Sequence, residues 1–483
     1  MPGRNHPPAA GNDRACRKVL GGTAKLGQWF SQRLFRHMGS SQQRVRVRVQ
    51  YVTTTATSTP NEKGKPYMQT RDDILIVGGG VVGAACAYYL TGRGAKVTVI
   101  DKGEVGHGCS YGNGGLIVPS HSFPLPMPGA IFQGFRWLFD PTGPFYIKPR
   151  WSWQMVRWLL RFARCSTQKQ MHHAVDTLTT LSLRGRALYD EIGESVTDQM
   201  HLKKYGGLYP CRTTKGLDHA VFEMETLRPY GVEGRLLDKH EVLEIEPAIT
   251  TSVIGGTYFE GDAHAEPLSV VQTLLRLAEE QGARVEPKTE LIDWELSNRR
   301  IDAVRTTRGT FRAGQFVLAG GSWSPQLARP LGLNVPIQAG KGYGVTIETF
   351  DPLPKVPVLL NEVKVGVTPR ENSVRLAGTM EFGGLDESIT ERRVRAIVHG
   401  ARQFFNIPEE PRVVEIWRGL RPCTPDGLPI IGRHHRWENL TLAAGHAMLG
   451  LTLATATGHL VADLIGGDTP CVDPRPFRPQ RFC

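Results

Sequence analysis

The chain has 483 residues, of which 40% are hydrophobic, so it can bury large cores and its length would allow about three domains. The net charge of +12 is uneven, because residues 1–70 carry twelve Lys or Arg against two acidic residues and the remaining residues carry only +2. This distribution argues against a nucleic-acid partner for the body of the protein. No apolar run approaches the roughly 18 residues of a spanning helix, and no secretory signal precedes the body, which predicts a soluble or peripheral protein.

Residues 1–70 form a basic extension that we predict to be disordered, and three interpretations of it remain open. An arginine-rich, acid-poor leader is typical of an organellar transit peptide, which would make the protein mitochondrial. It could also be a basic arm that contacts nucleic acid or anionic lipid. The third interpretation, sequence translated upstream of a natural start at Met68, is favoured because MQTRDDILIVGGG resembles the usual opening of a dinucleotide-binding domain. The predicted location is then cytoplasmic.

The first strong signal along the chain is a strand, a glycine turn and a helix. The β-branched run at 74–77 predicts a buried strand, and Gly78, Gly80 and Gly83 follow it at GxGxxG spacing. The helix predicted at 84–90 would direct its N-terminal amides at a pyrophosphate. A second strand, predicted at 96–100, ends in Asp101, whose carboxylate can accept a hydrogen bond from a ribose hydroxyl and would repel a 2′-phosphate. The pattern therefore predicts a dinucleotide site and argues against NADP.

The segment after Asp101 helps to separate NAD from FAD. Residues 106–115, GHGCSYGNGG, are rich in glycine and short polar side chains, so they could lie along a pyrophosphate and a flavin ring. This composition favours FAD.

Farther along, residues 135–164 contain Trp137, Trp151, Trp153 and Trp158, with Arg157, Arg161 and Arg164 at helical spacing. The pattern predicts an amphipathic helix, which either covers the protein's own core or lies on a membrane surface and gives access to a membrane quinone. A helix is predicted at 171–192, and strands of an antiparallel sheet at 205–211 and 344–348. The pairs His172-His173 and His434-His435 are predicted to be surface residues, because adjacent side chains point in different directions and make poor metal ligands.

Three downstream segments predict further parts of the nucleotide site. Residues 316–323, FVLAGGSW, predict a buried strand that ends in a glycine turn. Residues 417–432 read WRGLRPCTPDGLPIIG, and residues 440–453, LTLAAGHAMLGLTL, predict a strand, a turn at Gly445-His446 and the start of a helix. The N-terminus of that helix could stabilise the negative charge of a reduced flavin.

In these segments the chain resembles the D-amino-acid oxidase superfamily of FAD oxidoreductases, and most closely the bacterial D-amino-acid dehydrogenases. The resemblance covers roughly residues 73–467. It is carried in chain order by VGGGVVGAACAYYL, by GCSYGNGG with the following PSHSFPLPMPG, by TYFEGDAHAEP, KGYGVTIE and WRGLRPCTPDGLPIIG, and by AAGHAMLGLTLATATGHLVADLI.

The resemblance implies an α/β fold in which a Rossmann-like FAD-binding domain is interleaved with an α+β substrate domain built on an antiparallel sheet. We predict the FAD-binding domain at residues 73–127, 255–326 and 417–467, and the substrate domain at 128–254 and 327–416. Residues 468–483, rich in Pro and Arg, are predicted to form an irregular tail.

The activity implied is oxidation of an amine carbon next to a carboxylate, with hydride passing from Cα to flavin N5 and the imine hydrolysing to a 2-oxo acid and ammonia. The arginine of the RP-T-DG segment, here Arg421, would hold the substrate carboxylate bidentately, with Arg418 as the competitor and a structural salt bridge as the alternative role. Tyr343 and His446 are further substrate-binding candidates, each with core packing as the alternative. No acid or base is assigned, since a substrate bound with a neutral amine needs none.

The predicted cofactor is non-covalent FAD. Cys423 lies too close to Asp426 to match the families with covalently attached flavin, and the eight cysteines form no metal or disulfide pattern. The residues predicted to bind FAD are Gly78, Gly80, Val81, Val82, Gly83, Asp101, Lys102, Ser110, Asn113, Gly114, Gly115, Gly320, Gly321, Trp323, Gly445 and Gly450.

The preferred hypothesis is oxidative deamination of D-amino acids or cyclic D-imino acids, with a quinone or oxygen as electron acceptor. Two alternatives remain: a related FAD oxidase of glycine, sarcosine or D-hydroxyproline, and a non-catalytic dinucleotide-binding subunit of a larger complex.

Overall fold

A computed structural model describes residues 73–130, 132, 134, 143–148 and 152–482. The prediction for residues 1–70 lies outside this part of the chain, as do Trp137 and Trp151 of the predicted amphipathic helix. The described strands are β1 Ile74–Val77, β2 Val97–Ile100, β3 Leu116–Ile117, β4 Phe145–Ile147, β5 Gly207–Cys211, β6 Arg235–Asp238, β7 Gly255–Phe259, β8 Ala263–His264, β9 Arg284–Glu286, β10 Leu291–Ser297, β11 Arg300–Thr306, β12 Gly309–Arg312, β13 Gln315–Leu318, β14 Gln338–Glu348, β15 Val358–Leu360, β16 Val365–Arg370, β17 Ser373–Phe382, β18 Val413–Cys423, β19 Ile430–Arg433 and β20 Leu440–Ala444.

The α-helices that the structure describes in full are α1 Val81–Thr91, α2 Trp153–Cys165, α3 Gln168–Glu191, α4 Glu194–Gln199, α5 Thr214–Leu227, α6 Lys239–Ile245, α7 Pro267–Glu280, α8 Ser324–Ala328, α9 Glu391–Ala401 and α10 Gly450–Gly466. None of these helices combines the length and the apolar composition that crossing a bilayer requires. The helix predicted at 171–192 is thus α3, and the strand predicted at 344–348 is the second half of the longer β14.

The smaller of the two main sheets has six strands in the order β19-β20-β13-β1-β2-β9. Its strands are parallel except that β19 runs antiparallel to β20. β1 is buried on both faces, as its uninterrupted apolar sequence predicts. Helices α1, α7 and α10 contribute residues to the hydrophobic core on one face of this sheet.

The larger sheet has nine strands and is mainly antiparallel, in the order β18-β14-β17-β16-β15-β5-β7-β6 with β4 beside β17. Two of its strands come from segments that were predicted to lie in the FAD-binding domain. β7 and the whole of β18 pair within this sheet, although residues 255–259 and 417–423 were expected in the FAD-binding domain. Both strands carry apolar and β-branched residues that suit either sheet, so only the pairing partner decides the assignment.

The C-terminal residues are ordered by packing. Residues 470–482 contain two short 3₁₀ turns, Arg475–Phe477 and Pro479–Phe482, and the ring of Phe477 is buried in the same core as α1 and α10. The prediction of irregular backbone fits these residues, but they are anchored rather than a free tail.

One surface prediction is wrong. His172 and His173 are exposed, whereas His434 is buried and stacks on the ring of His435 at 4.6 Å. Its Nδ1 accepts a hydrogen bond from the backbone amide of Arg436 at 3.1 Å, so the turn that follows β19 holds the ring inside. The rule that adjacent side chains diverge does not apply in such a turn.

Candidate functional site

A cavity of about 2110 Å³ lies where the carboxyl ends of the parallel strands meet the larger sheet. Its lining includes Val77, Ile100, Ala319 and Ala444, which end or directly follow β1, β2, β13 and β20. In open α/β sheets, ligands bind at this edge. The volume exceeds the roughly 300–1,000 Å³ of an ordinary ligand pocket, so a dinucleotide and a small substrate could share it.

The glycine turn between β1 and α1 has the close contacts that its spacing predicts. Gly78 has a φ of +115°, and a Cβ there would lie 2.5 Å from the carbonyl oxygen of Ala319. A Cβ on Gly83 would lie 1.8 Å from the carbonyl oxygen of Gly78. Gly78 and Gly80 line the cavity, whereas Gly83 does not and instead allows α1 to approach the turn. The backbone therefore forms a shallow cradle that fits a pyrophosphate.

Asp101 follows β2 at the cavity wall, and both of its carboxylate oxygens accept backbone hydrogen bonds. Oδ2 accepts from the amide of Gly79 at 2.8 Å, and Oδ1 accepts from the amide of Gly103 at 2.9 Å. Burial raises the pKa of this carboxyl, while the two amides lower it. A carboxylate has further acceptor sites, so Asp101 can also accept a ribose hydroxyl. Beside it, the ammonium of Lys102 lies 4.0 Å from the ring centre of Trp323.

The glycine-rich loop at 107–115 is held against the cavity by helix α1 and by the larger sheet. Ser110 Oγ accepts from the first amide of α1, that of Val81, at 3.0 Å. Arg375 donates from Nη1 to the carbonyls of Tyr111 and Asn113, both at 3.3 Å, and the hydroxyl of Thr368 donates to the carbonyl of Gly114 at 2.6 Å. These anchors on β16 and β17 were not predicted, because a buried arginine in a strand carries no sequence signal for its partner.

Helix α10 begins at the cavity with Gly450, and its N-cap residue Leu449 supplies no side-chain cap. Its first turn contains no acidic residue. The amides and the positive end of the helix dipole therefore face the cavity, which is the arrangement predicted for stabilising a reduced flavin. Gly445 and Gly115 do not line the cavity, and their φ values of +86° and +74° indicate roles in shaping the backbone.

Arg421 lies on β18 at the cavity wall, where its Nη1 donates to the carbonyl of Thr379 at 2.6 Å. Burial lowers the pKa of its guanidinium, and no carboxylate of the described residues forms an ion pair with it. The competitor Arg418 pairs with Glu387 at 3.4 Å and donates to the Glu387 carbonyl at 3.0 Å. Arg421 is thus the cationic group of this pair that remains available to an anion in the cavity.

Tyr343 and Arg421 do not lie on the same face of the larger sheet. In the pairing of β14 with β18, Arg421 lies opposite Gly340 and Tyr343 lies opposite Arg418, so alternation places Tyr343 and Arg421 on opposite faces of the sheet. The Tyr343 hydroxyl is 3.2 Å from Glu381 Oε2 and accepts from the amide of Thr390 at 3.3 Å. Tyr343 lines part of the cavity, but its hydroxyl is already hydrogen-bonded to Glu381 and to Thr390, the residue that precedes α9.

His446 lies in the cavity wall, and its ring is fixed. Its Nε2 is 2.9 Å from the hydroxyl of Thr457, and burial lowers the pKa of the imidazole to about 3. The ring is therefore neutral throughout the physiological pH range. Cys109 and Cys423 lie near Arg421, and burial raises the pKa of their thiols to about 11 and about 12. Both sulfurs stay protonated and are weak nucleophiles.

Trp417 lines the cavity, although it was not among the residues predicted for the site. Its ring fills the space that a Cβ would take on both Gly112 and Gly419, at 2.1 and 2.0 Å. The indole is thus enclosed between the glycine loop and its own strand. Gly112 and Gly419, which make room for this ring, are far apart in the chain. The sequence therefore gave no sign that they enclose the indole together.

The chain matches the DAO family, described as FAD dependent oxidoreductase, over residues 73–464. It is 31% identical over 406 residues to the D-amino acid dehydrogenase of Granulibacter bethesdensis, covering 83% of this chain and 97% of that protein. It is 32% identical over 418 residues to the D-amino acid dehydrogenase of Methylobacterium sp. (strain 4-46), covering 85% of this chain and 99% of that protein.

Among solved structures, glycine oxidase from Geobacillus kaustophilus superposes with a TM-score of 0.69 at 26% identity, covering 84% of this chain and 98% of that chain. L-proline dehydrogenase from P. horikoshii superposes with a TM-score of 0.68 at 21% identity, covering 85% and 98%, and shows the shared fold. The predicted fold class is confirmed by these likenesses. The chain belongs to the DAO family of FAD-dependent oxidoreductases.

Proposed function

We propose that this FAD-dependent oxidoreductase deaminates D-amino acids or cyclic D-imino acids oxidatively. The observation that carries the proposal is Arg421, a guanidinium at the wall of the nucleotide cavity without a carboxylate partner among the described residues. A planar guanidinium binds a carboxylate bidentately and fixes its orientation, so it can hold Cα of an amino acid in one place. The two curated relatives described above are named D-amino acid dehydrogenases, which supports the same substrate class.

We further propose that the predicted cofactor residues hold FAD without a covalent bond. The glycine turn would receive the pyrophosphate, Asp101 the ribose, the loop at 107–115 the flavin, and the N-terminus of α10 the charge of the reduced ring. The protonated thiols of Cys109 and Cys423 support non-covalent binding. Bound FAD supplies the hydride acceptor.

The chain's own residues have positioning roles in this proposal. Arg421 binds the carboxylate, and the wall of the cavity excludes water from the bound amine. Burial lowers the pKa of His446 to about 3 and its Nε2 is engaged with the hydroxyl of Thr457, so it is too weak a base to remove the amine proton. A substrate that binds with a neutral amine loses that proton to water after oxidation.

The test is anaerobic reduction of the bound flavin. The purified protein should be yellow, and a D-amino acid or D-proline should bleach its absorbance while the L-enantiomers do not. Glycine, sarcosine and D-hydroxyproline belong in the same panel, because the likeness to glycine oxidase keeps that alternative open. Absence of bleaching by any amine in the panel would refute the amine assignment. The alternative of a non-catalytic subunit is set aside, because the family consists of oxidoreductases.

The surface beside the cavity supports a proposal about the electron acceptor. Phe132 and Leu160 line the cavity and are 79% and 57% exposed, and Trp153 on the same helix as Leu160 is 64% exposed. Arg157 and Arg164 of α2 are also exposed. Apolar and basic side chains together suit an anionic membrane surface, where a quinone would be the acceptor.

This proposal is tested by sedimentation with anionic vesicles and by comparing flavin reoxidation by oxygen and by a soluble quinone. Leu160→Ser should weaken vesicle binding, whereas Phe222→Ser, at another exposed site, should not. Equal vesicle binding by both variants would contradict membrane contact through α2.

A further inference from the structure

Gly342 lies in the middle of β14, next to the guanidinium of Arg421. β14 pairs with β17 on one side and with β18 on the other, so Gly342 is interior to the larger sheet. Its φ lies outside the left-handed region, so the backbone conformation does not require glycine there. Glycine in a strand interior lowers stability, because it loses more chain entropy than alanine does and packs no side chain. The reason for glycine at this position therefore lies in the space beside it.

The space that a side chain of Gly342 would occupy holds the guanidinium of Arg421. A Cβ on Gly342 would lie 1.9 Å from Nη1, 2.2 Å from Cζ and 2.3 Å from Nη2 of Arg421. These distances are far below van der Waals contact, so the guanidinium keeps this position only beside a glycine. Any other residue at this point of β14 would force the guanidinium to move.

The position over Gly342 also determines which nitrogens of Arg421 remain free. Nη1 donates to the carbonyl of Thr379 at 2.6 Å, on the neighbouring strand β17. Nε and Nη2 have no hydrogen-bond partner among the described residues, and neither atom is sealed away from solvent. Because Arg421 lines the cavity, these two nitrogens are the donors left for a ligand there. The Nε–Nη2 edge is one of the edges on which a guanidinium binds a carboxylate bidentately.

We propose that Gly342 is a positioning residue for the substrate carboxylate: it leaves the space in which the guanidinium of Arg421 lies, with the Nε–Nη2 edge open to the cavity. This inference rests on the proposed function, since it concerns the arginine that would bind the substrate. The ligand class is a monocarboxylate, the part that amino-acid and imino-acid substrates share. Gly342 itself does not line the cavity, so it acts through Arg421 and not by contact with the ligand.

The test is Gly342→Ala in the FAD-loaded enzyme, with Gly261→Ala as the control. A Cβ on Gly261 would meet no heavy atom within 4 Å, and Gly261 does not line the cavity. Four properties are measured: the Kd of propionate, a carboxylate with no amine to oxidise, from the perturbation of flavin absorbance; KM and kcat for the best substrate; the flavin content; and the thermal unfolding midpoint.

Gly342→Ala should raise the Kd of propionate and KM about 10- to 100-fold, with kcat changed less, because the displaced guanidinium loses its hydrogen bonds to the carboxylate. The flavin content and the unfolding midpoint should stay at their wild-type values. The added methyl group meets the far end of a flexible side chain and not backbone, so Arg421 can move without disturbing the sheet. Gly261→Ala should leave all four properties unchanged.

A second comparison shows whether Gly342 acts through Arg421. Arg421→Met removes the guanidinium, so adding Gly342→Ala to it should change kcat/KM less than about twofold, whereas Gly342→Ala alone should lower kcat/KM at least ~10-fold. If Gly342→Ala alone does not fold, the double variant decides the question. It should fold and match Arg421→Met, because the methyl group then meets no guanidinium.

A wild-type Kd and KM in Gly342→Ala would overturn the inference. Equal losses from Gly342→Ala with and without the guanidinium would also overturn it, as would a double variant that does not fold. Failure of the proposed function looks different. In that case Gly342→Ala still raises the Kd of propionate, but no amine in the panel reduces the flavin of the wild type.

Discussion

Arg421, which is partly buried at the cavity wall, differs from Arg375 and Arg393, two buried arginines that pack on the larger sheet. Arg375 pairs with Glu415 at 3.3 Å and Arg393 with Glu381 at 3.5 Å, whereas Arg421 bonds to a carbonyl. Keeping a guanidinium partly buried without a counter-ion costs stability, so its retention at a cavity wall fits a role in binding an anion.

Arg421→Met should therefore raise KM strongly. Truncating one partner of a buried charge pair costs about 2–5 kcal/mol, which corresponds to a rise of at least ~30-fold in KM. Arg418→Met is the matched control, because Arg418 already pairs with Glu387, and it should change KM less than about threefold. Steady-state kinetics with the flavin content of each variant measured in parallel checks this. Similar effects of the two substitutions would contradict the assignment of Arg421.

Asp262 gives a pH-dependent prediction. Its carboxylate is 1% exposed and accepts from Ser120, whose hydroxyl also lies 2.7 Å from the hydroxyl of Tyr209. Burial raises the pKa of Asp262 from 3.8 to about 7. Between about pH 4 and pH 7 the native state then binds more protons than the unfolded state, so this residue lowers the free energy of unfolding as pH rises, by up to roughly 4 kcal/mol.

In Asp262→Asn that contribution disappears. Urea unfolding at several pH values should show that the wild type loses stability relative to Asp262→Asn between pH 4 and pH 7, and that the difference is constant above pH 8. Asp302→Asn, at an exposed aspartate, should run parallel to the wild type. A pH-independent difference between Asp262→Asn and the wild type would show that the native pKa is not raised.

At the scale of elements, the glycine loop at 107–115 depends on β16 and β17 for its shape. Arg375→Met removes two hydrogen bonds to loop carbonyls, at Tyr111 and Asn113. We expect the Kd of FAD to rise at least ~10-fold, because each lost bond from a charged donor costs about 1.5–3 kcal/mol before relaxation. Reconstitution of apoprotein followed by flavin fluorescence measures this. Arg395→Met, on the exposed face of α9, is the control. Equal FAD affinity in the two variants would show that the hydrogen bonds from Arg375 do not hold the loop for FAD.

Sequence patterns were sufficient to predict several elements of the nucleotide-binding side. The hydrophobic period of a buried parallel strand and the glycine spacing of the turn after it are local properties of the sequence. They were enough to predict β1, α1, β2, β13 and β20. The sequence did not show which sheet β7 and β18 join, because a strand's partner is chosen by tertiary contacts. For the same reason the sequence could not show that Tyr343 and Arg421 lie on opposite faces, since the face of Tyr343 depends on the register of β14 with β18.

At the scale of the whole molecule, the C-terminal residues around Arg481 pack against the segment that follows Arg421. Arg481 pairs with Asp426 at 2.7 Å, five residues after Arg421, and donates to the carbonyl of Leu428 at 2.8 Å. Both side chains are mostly buried, at 16% and 8% exposure. The C-terminal residues thus support the functional cavity from outside.

Arg481→Met should destabilise the protein by about 3–5 kcal/mol, because it leaves Asp426 buried without its cation. Chemical unfolding measures the loss. Arg475→Met, whose partner Asp473 is on the surface, should cost under about 1 kcal/mol. In the double variant Arg481→Met with Asp426→Asn, part of the stability should return. A loss in Arg481→Met no larger than in Arg475→Met would contradict the anchoring role.

The sequence by itself determined the cofactor class, the family and the candidate residues at the nucleotide, because these follow from short segments whose geometry is set by neighbouring residues. Only the tertiary structure showed that Arg418 pairs with Glu387 while Arg421 pairs with no carboxylate of the described residues, that the Tyr343 hydroxyl is already hydrogen-bonded, and that Arg375 anchors the glycine loop. Those roles depend on the register between strands distant in sequence and on which charges find partners in the interior. Both are set by the packing of the whole chain, since burial makes each unpaired polar group costly.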